Sequence, residues 1–238
     1  MSRPLTIAKA FPLDVLDIVG DGPLALGCDL GTTTGKTSNP TAIALVERDG
    51  LDNAVRLAAR WKTDKPEVTT GVLVMICAEL VRRGKRLRVV NLDASNERFF
   101  AAEVRKALAR LVRVQLSVLG SKVQYRGESM TLKTRACARV EMAAQDNRLR
   151  LPRATWIQRD LRQMTKEAGT YTAAVEADGS HADFFIALAL AIDALDDTGP
   201  AEAAAAPIGS LSGRTRSRFN ITAEEEDDLE TAKPAWSC

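Results

Sequence analysis

The sequence predicts an α/β fold on a mixed sheet, three antiparallel strands followed by parallel strands, flanked by helices. Three observations predict it. The chain opens with three short β-like runs divided by turn signals. Strand-like and helix-like segments then alternate, as parallel strands joined by crossovers require. Apolar residues make up 45% of the 238, enough for one large core.

Taken in order, residues 1–22 read as an irregular lead-in. LALGCD (24–29) is a first strand that ends in a Gly- and Thr-rich turn. TAIALVE (41–47) is a second strand, punctuated by Asp49-Gly50, and AVRLAARW (54–61) a third. The period then becomes helical in TTGVLVMICAELVRRG (69–84), with a Thr start and a Gly stop. LRVVNLD (87–93) reads as a buried strand, 96–111 as an amphipathic helix and VRVQLSV (112–118) as a further strand. Residues 128–147 read as a helix, followed by the short apolar LRLP (149–152). WIQRDLRQMTKEAG (156–169) reads as a helix closed by Gly169, and TYTAAVEA (170–177) as a β-ribbon. A strongly apolar helix begins at Ser180 or His181 and runs to Leu195. These boundaries set one domain over 23–197 and a mobile tail over 198–238 with a basic and an acidic block.

Composition narrows the chemistry. The net charge is +2, which neither announces nor excludes a nucleic-acid partner. Cys28, Cys77 and Cys137 lie in apolar surroundings and read as small buried residues of a reducing compartment. With Cys238 they complete the four cysteines, no two of them at metal-ligand spacing; a single histidine leaves no basis for a Cys/His zinc site. No uncharged apolar run reaches the length of a membrane span. Asp14 and Asp17 stand where a signal peptide needs apolar residues, so a cytosolic protein is expected.

Three acids fall at element ends. Asp29 closes the first strand and shares a face with Gly27 and Gly31, which leave room around it; the plain alternative is a turn-forming Asp. Asp93 ends the strand 87–93, at the edge where parallel sheets gather ligands, or else it starts the next helix. Asp183 lies in the first turn of the last helix, facing the sheet or else simply complementing the helix dipole. Converging carboxylates from distant segments suit two divalent ions, Mg²⁺ or Mn²⁺, and phosphodiester hydrolysis by two such ions. Asp29 is expected to bridge both ions, with Asp93 and Asp183 each completing one. His181 is read either as an aid to proton transfer or phosphate contact, or as a polar residue at the helix start. Lys122, Arg126, Lys133 and Arg135 form a basic stretch that reads as a contact to double-stranded DNA or as a solvated face.

The loop G31-T-T-T-G35-K36-T37 imitates a P-loop but has one residue too few before Gly-Lys, and a β-like run rather than a helix follows. The same stretch resembles the first phosphate loop of sugar kinases and heat-shock ATPases, which need two copies of the fold where this chain has length for one.

Together, LALGCDLGTTTGKTSNPTAIALVE, VVNLDASN, RLRLP with WIQRDLRQM, and DGSHADFFIALALA resemble the C-terminal nuclease domain of bacteriophage terminase large subunits of the Mu-like type, over residues 24–195. The strand order predicted above is that of the RNase H-like superfamily to which such domains belong. The resemblance implies an endonuclease that cuts viral DNA during packaging in the bacterial host cytoplasm. Its Mg²⁺ or Mn²⁺ would be held by Asp29, Asp93 and Asp183, with Asp178 and Asp193 as weaker substitutes and His181 near the metals. It also implies an ATPase motor, a small terminase subunit and a portal as partners. The chain carries no Walker A loop, so packaging by this chain alone is not expected. Two other readings stay open: a non-catalytic docking module for portal, motor or DNA, and a resolvase of the same fold acting on Holliday junctions.

Overall fold

The structure is a computed structural model, and it describes residues 13–35, 38–175, 179, 181–197 and 230–231. A 3-10 helix, Leu13–Ile18, replaces part of the expected irregular lead-in. Strands β1 (Leu24–Asp29), β2 (Thr41–Asp49) and β3 (Asp52–Trp61) form an antiparallel meander. Helix α1 (Pro66–Arg82) leads to β4 (Leu87–Asp93), and helix α2 (Arg98–Leu108) leads to β5 (Val114–Ser117). Both β4 and β5 run parallel to their neighbours, so the central order is β3-β2-β1-β4-β5, the predicted mixed sheet of three antiparallel strands followed by parallel ones. Two-residue strands extend the β3 edge: β8 (Leu149–Arg150) pairs with it parallel and β11 (Glu230–Thr231) antiparallel. Apart from that last strand, the expected tail lies outside the described residues.

Helix α1 starts at Pro66, earlier than the Thr expected, because proline's missing N–H costs nothing in a first turn. Gly84, at φ 69°, follows it as expected for a helix stop. Two helix expectations are corrected. Residues 128–131 are a strand, β7 (Glu128–Thr131), paired with β6 (Lys122–Tyr125); helix α3 (Leu132–Gln145) begins only where the Thr131 hydroxyl accepts the Thr134 N–H. Likewise helix α4 (Thr155–Gln163) stops at Gln163, and Met164–Glu167 is strand β9, paired with β10 (Thr170–Ala173). Gly169 is therefore a hairpin residue and not a helix stop. In both hairpins the two turn residues have positive φ, Arg126 and Gly127 at 53° and 85°, Ala168 and Gly169 at 46° and 79°. That is the turn whose twist matches two antiparallel strands.

The last helix, α5 (Asp183–Asp197), is buried at every residue from Asp183 to Leu195, as its all-round apolar sequence requires. It covers one face of the sheet with α3 and α4, packing on Ala25, Ala42, Ala44, Val46 and Val89. The other face, with Leu24, Leu26, Cys28, Ile43 and Leu45, is covered by α1 and α2. Cys28, Cys77 and Cys137 are buried free thiols in this two-sided core. Among the described residues no helix is long and apolar enough to cross a membrane.

Candidate functional site

Strand alternation decides which way Asp29 points. Leu26 and Cys28 belong to the α1/α2 side, so Gly27 and Asp29 lie on the α5 side. Gly27 is there because α5 comes too close for any side chain: a Cβ on it would lie 1.9 Å from the Ala187 carbonyl oxygen and 2.8 Å from the Ala191 nitrogen. From that contact, two strand residues advance about 6.6 Å to Asp29. One helix turn back from Ala187, about 6 Å, reaches Asp183. Strand end and helix start therefore meet. Gly31 continues the same tight packing, with a would-be Cβ 2.3 Å from the Asn39 carbonyl oxygen.

The neighbouring strand brings the second acid. Gly27 is in register with Asn91 and Cys28 with Leu92, so the parallel ladder carries Asp93 alongside Asp29. Asn91 donates to the Leu190 carbonyl of α5 at 3.1 Å, which fixes the face that Asn91 and Asp93 share. Asp93 accepts the Ser95 N–H at 2.8 Å.

The electrostatics agree with this convergence. The Asp29 residue keeps some surface open to water, but its carboxyl pKa is pushed well above the ordinary carboxylate value. Burial is the largest cause, followed by the charges of Asp183, Asp93 and Asp160; Lys133 pulls the other way. Burial also raises Asp93, against its Ser95 hydrogen bonds and the Lys133 charge. Lys133 is thus the one expected DNA contact that the fold brings to the acids.

His181 stands at the rim, its side chain 38% exposed and its Nδ1 3.1 Å from Asp183 Oδ1. Apart from this ring nitrogen, Asp183 Oδ1 is buried with no donor. Asp183 Oδ2 accepts the His181 N–H at 3.2 Å, and His181 Nε2 lies 3.3 Å from Asn39 Nδ2. Asp183 raises the histidine pKa, against burial and the Lys133 charge.

Asp160 is a fourth acid that the sequence reading passed over. It is 2% exposed, and its two oxygens accept the N–H groups of Phe185 at 2.8 Å and Phe184 at 3.2 Å. Its pKa is pushed up to about 6, first by burial and then by Asp183, while the two N–H groups hold it down. A signal existed: Trp156, Ile157, Asp160 and Gln163 fall on one helical face, and that face is buried.

The other candidates lie elsewhere. Asp193 is fully buried and neutralised by Arg135 at 2.7 Å and Arg139 at 2.6 Å, so it is the anion of a structural ion cluster. Arg135 is consequently engaged with Asp193 and Asp197. Lys122 and Arg126 are exposed on the β6–β7 hairpin. Asp178 lies outside the described residues. The P-loop-like stretch leads into β2 and not into a helix, with Thr32 donating to Glu97 at 2.6 Å; Lys36 and Thr37 are outside the described residues.

Does this set suit divalent cations? Its donors are carboxylate oxygens, the ligands Mg²⁺ and Mn²⁺ take. Apart from the His181 ring nitrogen at 3.1 Å, Asp183 Oδ1 is a buried acceptor with no donor, the kind of group a cation would satisfy. Among the described residues, however, no three His, Cys, Asp or Glu side chains are gathered to hold a metal ion as they stand. The residues fit in donor chemistry and in the face they share, while their carboxyls are not drawn round one point.

Comparison with solved structures gives the large terminase of a thermophilic bacteriophage, at 14% identity and TM-score 0.47 over 73% of this chain and 42% of that one. The manganese-soaked human cytomegalovirus terminase nuclease domain follows, at 10% identity and TM-score 0.47, covering 79% of this chain and 94% of that one. The nuclease domain of the large terminase subunit of bacterial virus Sf6 gives 8% identity and TM-score 0.45, covering 74% and 83%. This chain spans 42% of the length of the thermophilic phage's large terminase. No family model and no curated protein matches the sequence.

Proposed function

We propose that this chain is a metal-dependent endonuclease domain that cleaves double-stranded DNA in the manner of a terminase large subunit, in the cytoplasm of a bacterial host. What supports the reading is that Asp29, Asp93 and Asp183 share one face at the C-terminal edge of β1 and β4, where the charges of Asp93 and Asp183 both raise Asp29. Such mutual repulsion at a partly open sheet edge is costly for a fold and useful to a cation site. Two Mg²⁺ or Mn²⁺ ions, when bound, would activate water and stabilise the leaving oxygen.

The chain's own residues divide the remaining work. Asp29 would be shared between the ions, with Asp93 and Asp183 as the outer ligands. Lys133 sets a positive charge beside these carboxylates, against the scissile phosphate's negative one. His181, held toward protonation by Asp183, would contact that phosphate or move a proton at the rim. Lys122 and Arg126 would track the duplex backbone without reading sequence. A motor, a small terminase subunit and a portal are the partners this reading implies.

The test is nicking and linearisation of supercoiled plasmid with Mn²⁺ or Mg²⁺. Asp29→Asn and Asp183→Asn are each expected to reduce cleavage by roughly 10³-fold or more. Cleavage by either variant at the parental rate ends the assignment. The docking reading draws on the ungathered carboxyls, and it requires that Mn²⁺ titration show no carboxylate-dependent binding. The resolvase reading requires branched DNA to be cut far faster than linear duplex.

A further inference from the structure

We propose that Asp160 and Gln163 are positioning residues: one face of α4 brackets the backbone where the preceding turn enters α5 and so aims the Asp183 carboxylate. What Asp183 is aimed for rests on the nuclease reading; the bracket itself does not.

The turn needs holding. Ala182 has φ 65°, a left-handed conformation that an alanine rarely adopts, and it is fully buried. The residues on either side of it are His181 and Asp183. A helix start leaves its first N–H groups without intrahelical partners, and here they are out of reach of water. Helix α4 supplies the acceptors. The Gln163 Oε1 accepts the Ala182 N–H, and the Asp160 carboxylate accepts those of Phe184 and Phe185. Asp160 and Gln163 are three residues apart, so they lie side by side on the buried face of α4. The Asp183 carboxylate is free of this work; its Oδ2 accepts only the His181 N–H, and its Oδ1 faces only the His181 Nδ1, at 3.1 Å. Had the Phe184 and Phe185 N–H groups been left to Asp183, its oxygens would be turned back on the backbone of its own helix. Asp160 takes the capping role, which leaves Asp183 to face Asp29. With both oxygens on backbone N–H groups, Asp160 supports the site instead of joining it as a further ligand.

The test compares the parent with Asp160→Ala, Asp160→Asn, Gln163→Ala and Gln163→Glu. It combines amide exchange read residue by residue with calorimetric titration of Mn²⁺ and plasmid kinetics. In Asp160→Ala the Phe184 and Phe185 amides are expected to exchange at least about 10-fold faster while β1 and β4 keep their protection. Mn²⁺ affinity should fall about 10- to 100-fold. The kcat for cleavage should drop with KM for DNA unchanged. Asp160→Asn and Gln163→Glu, which keep an acceptor oxygen, should recover part of each loss. Parental exchange at this turn in Asp160→Ala overturns the bracket, and so does parental Mn²⁺ affinity. Loss of protection spread evenly over the whole sheet also overturns it, since that marks a purely structural residue. If Asp160→Ala does not fold, faster exchange of the Ala182 amide in Gln163→Ala supports the bracket and unchanged exchange overturns it. A parent that binds no Mn²⁺ sinks the nuclease reading, and the bracket is then decided on amide exchange alone.

Discussion

At the scale of single residues, the site is expensive. Asp29 carries a carboxyl whose pKa burial and three neighbouring acids push upward. A folded pKa above the unfolded one means that the neutral form is preferred in the fold. Its contribution to stability is therefore complete below the ordinary carboxylate range and is lost as pH rises through the raised value. Asp29→Asn, which is neutral throughout, should be more stable than the parent at pH 7. The gap should close as pH falls below about 4. Urea titrations across this pH range check the prediction. Added Mn²⁺ should stabilise the parent and leave the variant unmoved, because only the parent gains a bound ion. A variant less stable than its parent at neutral pH would mean that Asp29 is already satisfied by partners in the fold.

Residue identity was legible where local pattern determines direction. Asp29 and Asp93 end apolar strands, and strand alternation alone put Asp29 on the face of Gly27. Asp160 was harder. Its partners, Phe184 and Phe185, are 24 and 25 positions away, and no local signal ties a mid-helix acid to them. Arg135 illustrates the converse. It sits in a basic stretch that looks like a surface, yet the fold matches it to Asp193, 58 positions on.

At the scale of elements, strand β1 and helix α5 meet backbone to backbone. Gly27→Ala places a methyl group where the Ala187 carbonyl stands. The helix must move out, at an expected cost of about 2–4 kcal/mol, and Asp183 moves with it. Guanidinium denaturation should record the loss of stability, and cleavage should fall further than stability at temperatures where the fold persists. Parental activity in a folded Gly27→Ala would show that the helix can shift without disturbing the acids. The hairpins were the elements least legible in advance. Their turns use Arg-Gly and Ala-Gly in place of Asn-Gly or Asp-Gly, and the short polar strands beside them carry little apolar alternation. One strand of each, β7 and β9, was absorbed into the helix next to it, whereas β10 lies in the segment expected as a β-ribbon.

At the scale of the whole molecule, the order of strands followed from the alternation of period along the chain, because antiparallel runs need only turns whereas parallel ones need helical crossovers. Charge was less readable. A net charge of +2 conceals a spatial division between exposed cations on the β6–β7 hairpin and a cluster in which Arg135 and Arg139 join buried Asp193 to exposed Asp196 and Asp197. The two kinds of arginine should respond differently. Arg126→Ala is expected to weaken duplex binding evenly across sequences and to lower the salt slope by about one, with stability unchanged. Arg135→Ala is expected to cost on the order of 2–3 kcal/mol of stability, since Asp193 is then left buried with a single guanidinium. Fluorescence anisotropy at several salt concentrations, set beside thermal melts, separates the two; an Arg135→Ala that melts like the parent but loses DNA would exchange their roles.

The contact at Gly27 has one more consequence. Where two main chains touch, the gap between them is set by atomic radii, which no mutation of a neighbouring leucine or valine can alter. The span from Asp29 to Asp183 is thereby gauged by covalent dimensions, like two jaws closed on a shim of fixed thickness. Relatives of this chain could exchange most of their interior and still present acids at the same separation, so long as no side chain is inserted at that one point.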